Sequence, residues 1–205
     1  MPSRFRSLSE HALAALLALA CAASASRAED AGLIAGVFEP PRAAPELALR
    51  GSDGKELRLD RYRGKVVILG FGFSSCPDVC PTTLAALAGA RKKLGADADR
   101  VQVVYVTVDP ERDDAARLRQ YLGRFDPTFV GGTGTAEQLA EVRQGYGIAL
   151  GQRPGAGFSH SSFTYLIDRD GRIRALMPYG HSSDDYAHDV RLLLQSGGRA
   201  AAARE

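Results

Sequence analysis

The sequence predicts an α/β fold with a mostly parallel sheet covered by helices. Three observations carry that reading. Two short, unbroken apolar runs, Val66–Phe71 and Val101–Val108, have the length and β-branched content of strands buried on both faces. Amphipathic or Ala/Leu-rich stretches of helical length follow them. Two pairs of alternating apolar segments meet at Asp53-Gly54 and Asp170-Gly171, the signature of β-hairpins.

Taken in order, residues 29–45 are rich in Ala and Pro (Pro40, Pro41, Pro45) and read as a linker or an extended lead-in. Leu47-Ala48-Leu49 and Leu57-Arg58-Leu59 flank Gly51-Ser52-Asp53-Gly54 and form the first hairpin. Gly64-Lys65 opens the strand Val66–Phe71. Thr82–Leu94 is helical, with Gly95 as its stop signal. Val101–Val108 is the next buried strand, and Glu111–Leu122 a charged amphipathic helix closed by Gly123. Thr128–Val130 is a short strand. Thr135 caps a third helix that runs to Tyr146. Gly155–Ser162 is a Gly- and Ser-rich loop. Phe163–Asp168 and Arg172–Met177 make the second hairpin, and Asp184–Gln195 the last helix. Residues 197–205 form a frayed tail. This order matches a thioredoxin-like fold, spanning residues 46–196, with an N-terminal β-hairpin and an inserted strand–helix unit.

Residues 1–28 stand apart from that domain. Arg4 and Arg6 precede an unbroken Ala, Leu, Cys and Ser run from Ala12 to Ala25, and Ala23-Ser24-Ala25 and Ser26-Arg27-Ala28 both fit a cleavage site. This is the pattern of a secretory signal peptide, too short for a comfortable membrane span. Retention as an anchor, or lipidation at Cys21, are the alternatives. The chain carries 26 Lys and Arg against 24 Asp and Glu. Residues 1–28 hold three Arg and one Glu, so the remainder is formally neutral. Nothing in that balance suggests a nucleic-acid partner.

Beyond Cys21 the chain has two cysteines, in Cys76-Pro77-Asp78-Val79-Cys80-Pro81. The pair follows a buried strand and precedes a helix. A strand-to-helix junction of this kind presents reactive groups at the carboxyl ends of the strands. A dithiol oxidoreductase usually carries C-x-x-C; here one extra residue separates the thiols. The pair could handle electrons, a metal ion, or both. Pro81 suits a first helical turn and biases Cys80 away from helix, so the helix is expected to start near Pro81. Cys80 then sits at a helix N-terminus, where free N–H groups and the dipole favour a thiolate. Soft sulfur selects copper(I), zinc or iron–sulfur chemistry. The alternative to both is an inert disulfide.

Three histidines follow the pair. His188 reads as a surface residue of the last helix and His181 as a solvated loop residue. His160 precedes a core strand in the region that approaches the cysteine loop in a thioredoxin-like fold. It is read either as solvated or as a ligand. Disulfide exchangers of this fold carry a cis-proline before that strand. Here the segment reads Phe158-Ser159-His160-Ser161-Ser162-Phe163 and holds no proline. That favours metal handling over general disulfide exchange.

From about Gly36 to Leu194 the chain resembles the Sco/SenC/PrrC family of copper-binding, thioredoxin-like proteins. The resemblance lies in Gly36–Pro41, in Phe71-Gly72-Phe73-Ser74-Ser75-Cys76-Pro77-Asp78-Val79-Cys80-Pro81-Thr82-Thr83-Leu84, and in Val108-Asp109-Pro110-Glu111-Arg112-Asp113. It continues in Gly132-Thr133-Gly134, Tyr146-Gly147, His160-Ser161, Tyr165–Asp168 and Asp170-Gly171. It implies that Cys76, Cys80 and His160 bind copper, as Cu(I) and Cu(II). It implies delivery to, or assembly of, the CuA centre of cytochrome c oxidase, with the CuA-bearing subunit as partner. Two positions depart from the family pattern: Ser159 stands where many members have Asp, and Gly131-Gly132 replaces Gly-Leu.

The resulting expectation is an exported, periplasmic copper metallochaperone, soluble or held at the outer side of the inner membrane. Another copper chaperone or a thiol reductase would supply or reset it. Two alternatives stay open: a thiol-disulfide oxidoreductase with Cys76 and Cys80 as catalytic thiols for the CuA-site cysteines, or a copper or redox sensor. Asp109 has two readings as well, a group near the cysteine loop or an initiator of the following helix, the second being favoured. Asp78 serves turn formation or tunes the site. Gly131–Thr135 is a helix-entry turn, since it lacks the lysine of a phosphate-binding loop.

Overall fold

The computed structural model describes residues 32–153 and 157–196, and gives the backbone alone for 152, 153 and 157–160. Residues 1–28, with Cys21, and the tail 197–205 lie outside the described residues.

Among the described residues, ten strands and four α-helices form in the order β1 (Gly36–Ala43), β2 (Leu49–Gly51), β3 (Glu56–Leu57), β4 (Val66–Gly72), α1 (Val79–Leu94), β5 (Val101–Thr107), α2 (Ala115–Leu122), β6 (Val130–Thr133), α3 (Ala136–Tyr146), β7 (Leu150–Arg153), β8 (Gly157–His160), β9 (Phe163–Ile167), β10 (Arg172–Pro178) and α4 (Ser183–Ser196). Eight strands make one sheet, ordered β1-β10-β9-β4-β5-β6-β2-β3, and β7-β8 form a separate hairpin. Both hairpins expected from Asp-Gly turns are present: β2 pairs with β3, and β9 with β10. The arrangement is the thioredoxin-like one, enlarged at both edges.

The sheet is less parallel than the alternation of strands and helices suggested. β4 pairs with β5, and β5 with β6, in parallel. Every other neighbour pair is antiparallel. The reason lies in the connections. Parallel neighbours need a helical crossover, and only α1 and α2 supply one inside this sheet. The edges are filled by hairpins and by β1. The lead-in expected as linker or extended chain contains that strand, which pairs with β10. Its prolines fit an edge, where missing N–H donors cost no ladder bond.

β4 occupies the centre, and all seven of its residues are buried. Burying side chains such as Ile68 and Leu69 stabilises by about 1.5–3 kcal/mol each. Strand pleating sends alternate residues to opposite faces. On one face Gly70 lies beside Tyr105 of β5 and Thr164 of β9. There Tyr186 of α4 shares a hydrogen bond of 2.8 Å with the Thr164 hydroxyl. α1 packs with α4, and a Cβ on Gly89 would stand 2.9 Å from the Ser183 Cβ. On the other face Phe71, Tyr165 and Tyr146 of α3 form an aromatic cluster with centroids 5.0–6.0 Å apart.

Several boundaries differ from expectation for identifiable reasons. α2 begins at Ala115, because Asp114 is the N-cap and accepts from the Arg117 N–H at 2.7 Å. The third helix is capped by Thr135 as expected, with Gln138 completing a capping box. Gly131 and Gly132 belong to β6 rather than to a turn, since the narrow space beside Leu118, Leu57 and Val106 admits no side chain there. The Gly- and Ser-rich segment before β9 contains β8, so His160 ends a strand. Among the described residues no helix is long and apolar enough to cross a membrane.

Candidate metal centre

The cysteine loop hangs from the carboxyl end of β4. The Val108 N–H donates to the Gly72 carbonyl at 2.8 Å, which holds the end of β4 against the chain leaving β5. Phe73 is buried, and a turn from its carbonyl to the Cys76 N–H (3.3 Å) lifts the chain over the sheet edge. α1 starts at Val79 with Asp78 as N-cap, two residues earlier than expected. Pro81 therefore falls in the first turn, where its missing N–H has no helical partner to lose, and Cys80 is helical. Asp78 makes no side-chain cap bond; its carbonyl instead accepts from the Thr82 N–H and hydroxyl.

Cys80 is buried and Cys76 half-buried, and no disulfide joins them. Cys76 lies close enough to Cys80 to act on its ionisation. The electrostatics of Cys80 differ from expectation. Burial pushes its thiol up to about 12, and contact with Cys76 adds to this; the Tyr105 hydroxyl and the Phe73 backbone pull the other way. Desolvation of the charged form outweighs the helix N-terminus. Unloaded, Cys80 is a thiol, and a metal must displace its proton.

Two tyrosines stand over the pair. The Tyr105 ring lies along β4 where Gly70 and Gly72 expose bare backbone. A Cβ on Gly72 would stand 1.8 Å from the Tyr105 hydroxyl oxygen and 2.7 Å from the Cys80 sulfur. Burial, with Cys80 adding, raises Tyr105 far above its ordinary ionisation range. Burial raises Tyr121 too, with contributions from both cysteines. Both therefore remain phenols. Gly70, Cys80, Thr83, Leu87, Tyr105 and Tyr186 line a cavity of about 20 Å³ beneath the thiol.

The loop is anchored from the side by Asp113, which is fully buried. Its carboxylate accepts from the Ser74 N–H at 2.9 Å, from the Ser74 hydroxyl, and from the Thr107 hydroxyl at 2.8 Å. Arg117 Nε donates to the same Ser74 hydroxyl at 3.0 Å. In the sequence Ser74 and Asp113 stand in the motif blocks with no role of their own, and Tyr105 is one residue of the Val101–Val108 run. A tyrosine inside a run of valines was the available signal, because its buried hydroxyl needs a partner. For Asp113 no pattern marks a contact 39 residues away.

Asp109 is buried and accepts from Arg112 Nη1 at 2.7 Å, while its carbonyl closes a turn with the Asp113 N–H. It initiates that turn and not α2, whose cap is Asp114. His181 and His188 each face a carboxylate, Asp185 at 3.3 Å and Asp189 at 3.0 Å. Among the described residues no cluster of three or more His, Cys, Asp or Glu side chains could hold a metal. The His160 side chain lies outside the described residues. Its backbone pairs with Leu150 and leads through Ser161-Ser162 into β9, which lies beside β4; Ser162 and Phe163 border the cavity under Cys80.

The SCO1/SenC family model matches residues 39–195. An SCO2-like protein of Rickettsia conorii is 33% identical over 150 residues, covering 70% of this chain and 69% of the relative. The copper-bound structure of ScoI from Bradyrhizobium japonicum is 31% identical with a TM-score of 0.67, covering 74% of this chain and 99% of that one. BsSco, whose published structure concerns a disulfide switch in a member of the Sco family of cytochrome c oxidase assembly proteins, shares the fold at 24% identity and a TM-score of 0.62, over 78% and 98% of the two chains. With a family model covering most of the folded domain and the paired thiols at the end of β4, the chain belongs to the SCO1/SenC family.

Proposed function

We propose that this protein is an exported copper metallochaperone, facing the periplasm, that holds copper through Cys76, Cys80 and His160 and passes it to the CuA-bearing subunit of cytochrome c oxidase. The observation that carries the reading is the meeting of two thiols outside any disulfide, one buried and one half-buried, at the carboxyl end of the central strand. Two soft sulfurs suit copper(I) better than the four-ligand demands of zinc. Copper uptake displaces the thiol protons. His160, carried on β8 towards the same sheet end, would complete a three-ligand set and help accept copper(II). Release proceeds by exchange of one thiolate at a time, which the half-buried Cys76 begins because an incoming ligand reaches it first.

The test is to load the purified protein with copper and compare it with His160→Ala. Loss of the copper(II) spectrum, with copper(I) retained by the two cysteines, is the expected result. An unchanged copper(II) affinity and spectrum would remove His160 from the site. A second reading, a thiol-disulfide reductant for the oxidase cysteines, draws on the contact between the two thiols. Strong reductase activity without tight copper binding would favour it.

A further inference from the structure

We propose that the Tyr105 hydroxyl donates a hydrogen bond to the Cys80 sulfur when that sulfur is a metal-bound thiolate, and so sets the strength of the copper–sulfur bond. The proposal deepens the copper-binding reading and rests on it. Four observations support it. First, the hydroxyl and the sulfur converge on the same spot over Gly72, within 1.8 Å and 2.7 Å of where a Cβ would be. Second, Gly70 and Gly72 leave the floor of β4 bare where the Tyr105 ring lies; a Cβ on Gly70 would already stand 3.3 Å from that ring. Third, the hydroxyl is buried with no hydrogen-bond partner of good geometry. Fourth, Tyr105 and Cys80 line the same small cavity.

A buried donor without a strong acceptor is costly, and such a group calls for an explanation. A phenylalanine would fill the same space without that cost. The acceptor changes with the state of the site. A thiol sulfur is a weak acceptor, whereas a thiolate, free or metal-bound, accepts a charge-assisted bond of roughly twice the strength. The bond is therefore stronger in the loaded protein than in the unloaded one. A ligand shifts an equilibrium only through such a difference between states. The hydroxyl also withdraws electron density from the sulfur. Hydrogen bonding of this kind around a cysteine ligand tunes a copper centre. Tyr105 touches the ligand and not the copper, so it is a positioning residue.

The experiment compares the full chain with Tyr105→Phe. Loss of one charge-assisted bond predicts copper(I) binding weaker by about tenfold in a competition assay. The copper(II)–thiolate charge-transfer band is expected to move to lower energy, since the sulfur orbital rises when the bond is lost. The unfolding midpoint of the unloaded variant is expected to equal or exceed that of the wild type, which separates the effect from damage to the fold. A second arm needs no copper. In a Cys76→Ser background, iodoacetamide labelling of the Cys80 peptide at pH 8, followed by mass spectrometry, reports the thiolate fraction; Tyr105→Phe is expected to slow it about tenfold. If the wild type fails to bind copper through its cysteines, the copper reading falls while this arm still decides the role of Tyr105. Copper affinity and labelling rate both within twofold of the wild type would overturn the proposal. So would a fall in affinity that merely tracks a lowered unfolding midpoint with the band unmoved.

Discussion

Replacing Asp113 should loosen the cysteine loop more than any other single change outside it. The carboxylate accepts from three donors, Ser74 N–H, Ser74 hydroxyl and Thr107 hydroxyl, all at buried or half-buried positions. Asp113→Ala leaves all three without that acceptor. At a net value of about 1–1.5 kcal/mol per bond, the loss is about 3–4.5 kcal/mol. For a domain of this size each kcal/mol moves the melting temperature by roughly 2–4 °C, so a fall of about 6–18 °C follows. Asp113→Asn keeps one oxygen and the volume, and should cost about half as much. Urea unfolding of the unloaded protein measures the first effect. Copper(I) competition measures the second, because Ser74 stands two residues before Cys76 and a loose loop holds its sulfur less well. An Asp113→Ala protein within about 0.5 kcal/mol of the wild type, with copper affinity unchanged, would refute the idea that this carboxylate holds the loop.

Two other outcomes follow from the site. The folded Cys80 thiol ionises at about 12 against an ordinary 9.0. The unfolded chain therefore loses this proton first, and stability conferred by the neutral thiol is lost as pH rises from about 9 towards 12. At pH 10.5 the loss is about 2 kcal/mol. Buried tyrosines such as Tyr146 and Tyr186, also raised by burial, add their own loss in both proteins, so urea titrations at pH 8 and 10.5 should show a drop larger in the wild type than in Cys80→Ser by about that amount; equal drops would sink the assignment. Gly72→Ala should destabilise by roughly 2–3 kcal/mol or more, because its Cβ would overlap the Tyr105 hydroxyl. Adding Tyr105→Phe should recover part of that loss, and no recovery would mean that the crowding lies elsewhere.

Much of this was legible along the chain. The Val66–Phe71 run, the Asp-Gly turns and the Thr135 cap act through neighbours a few residues away, and each became the element expected of it. The α2 start was misplaced because Asp109 and Asp114 both suit a cap, and only the fold shows which one meets a helix. The strand expected over Thr128–Val130 lies instead at Val130–Thr133, because two glycines suppress the strand signal and make Gly131–Thr135 resemble a turn. Glycine there reflects packing against Leu118 and Leu57, which sequence spacing does not reveal.

The sequence by itself determined that Cys76 and Cys80 lie at a strand-to-helix junction, since an apolar run, a Pro-bounded loop and a helical stretch are local patterns. It also determined the family, through blocks of residues spread along residues 39–195. Only the tertiary structure decided the character of the site. Whether Cys80 is a thiol or a thiolate depends on how much water its sulfur loses against how much charge the helix terminus offers, and burial wins. That Asp113 anchors the loop depends on Ser74 and Thr107 being brought beside it. Tyr105 reaches Cys80 because two glycines of a neighbouring strand leave room for its ring. These are balances of desolvation and space among residues far apart in sequence, and they exist only once the chain has folded.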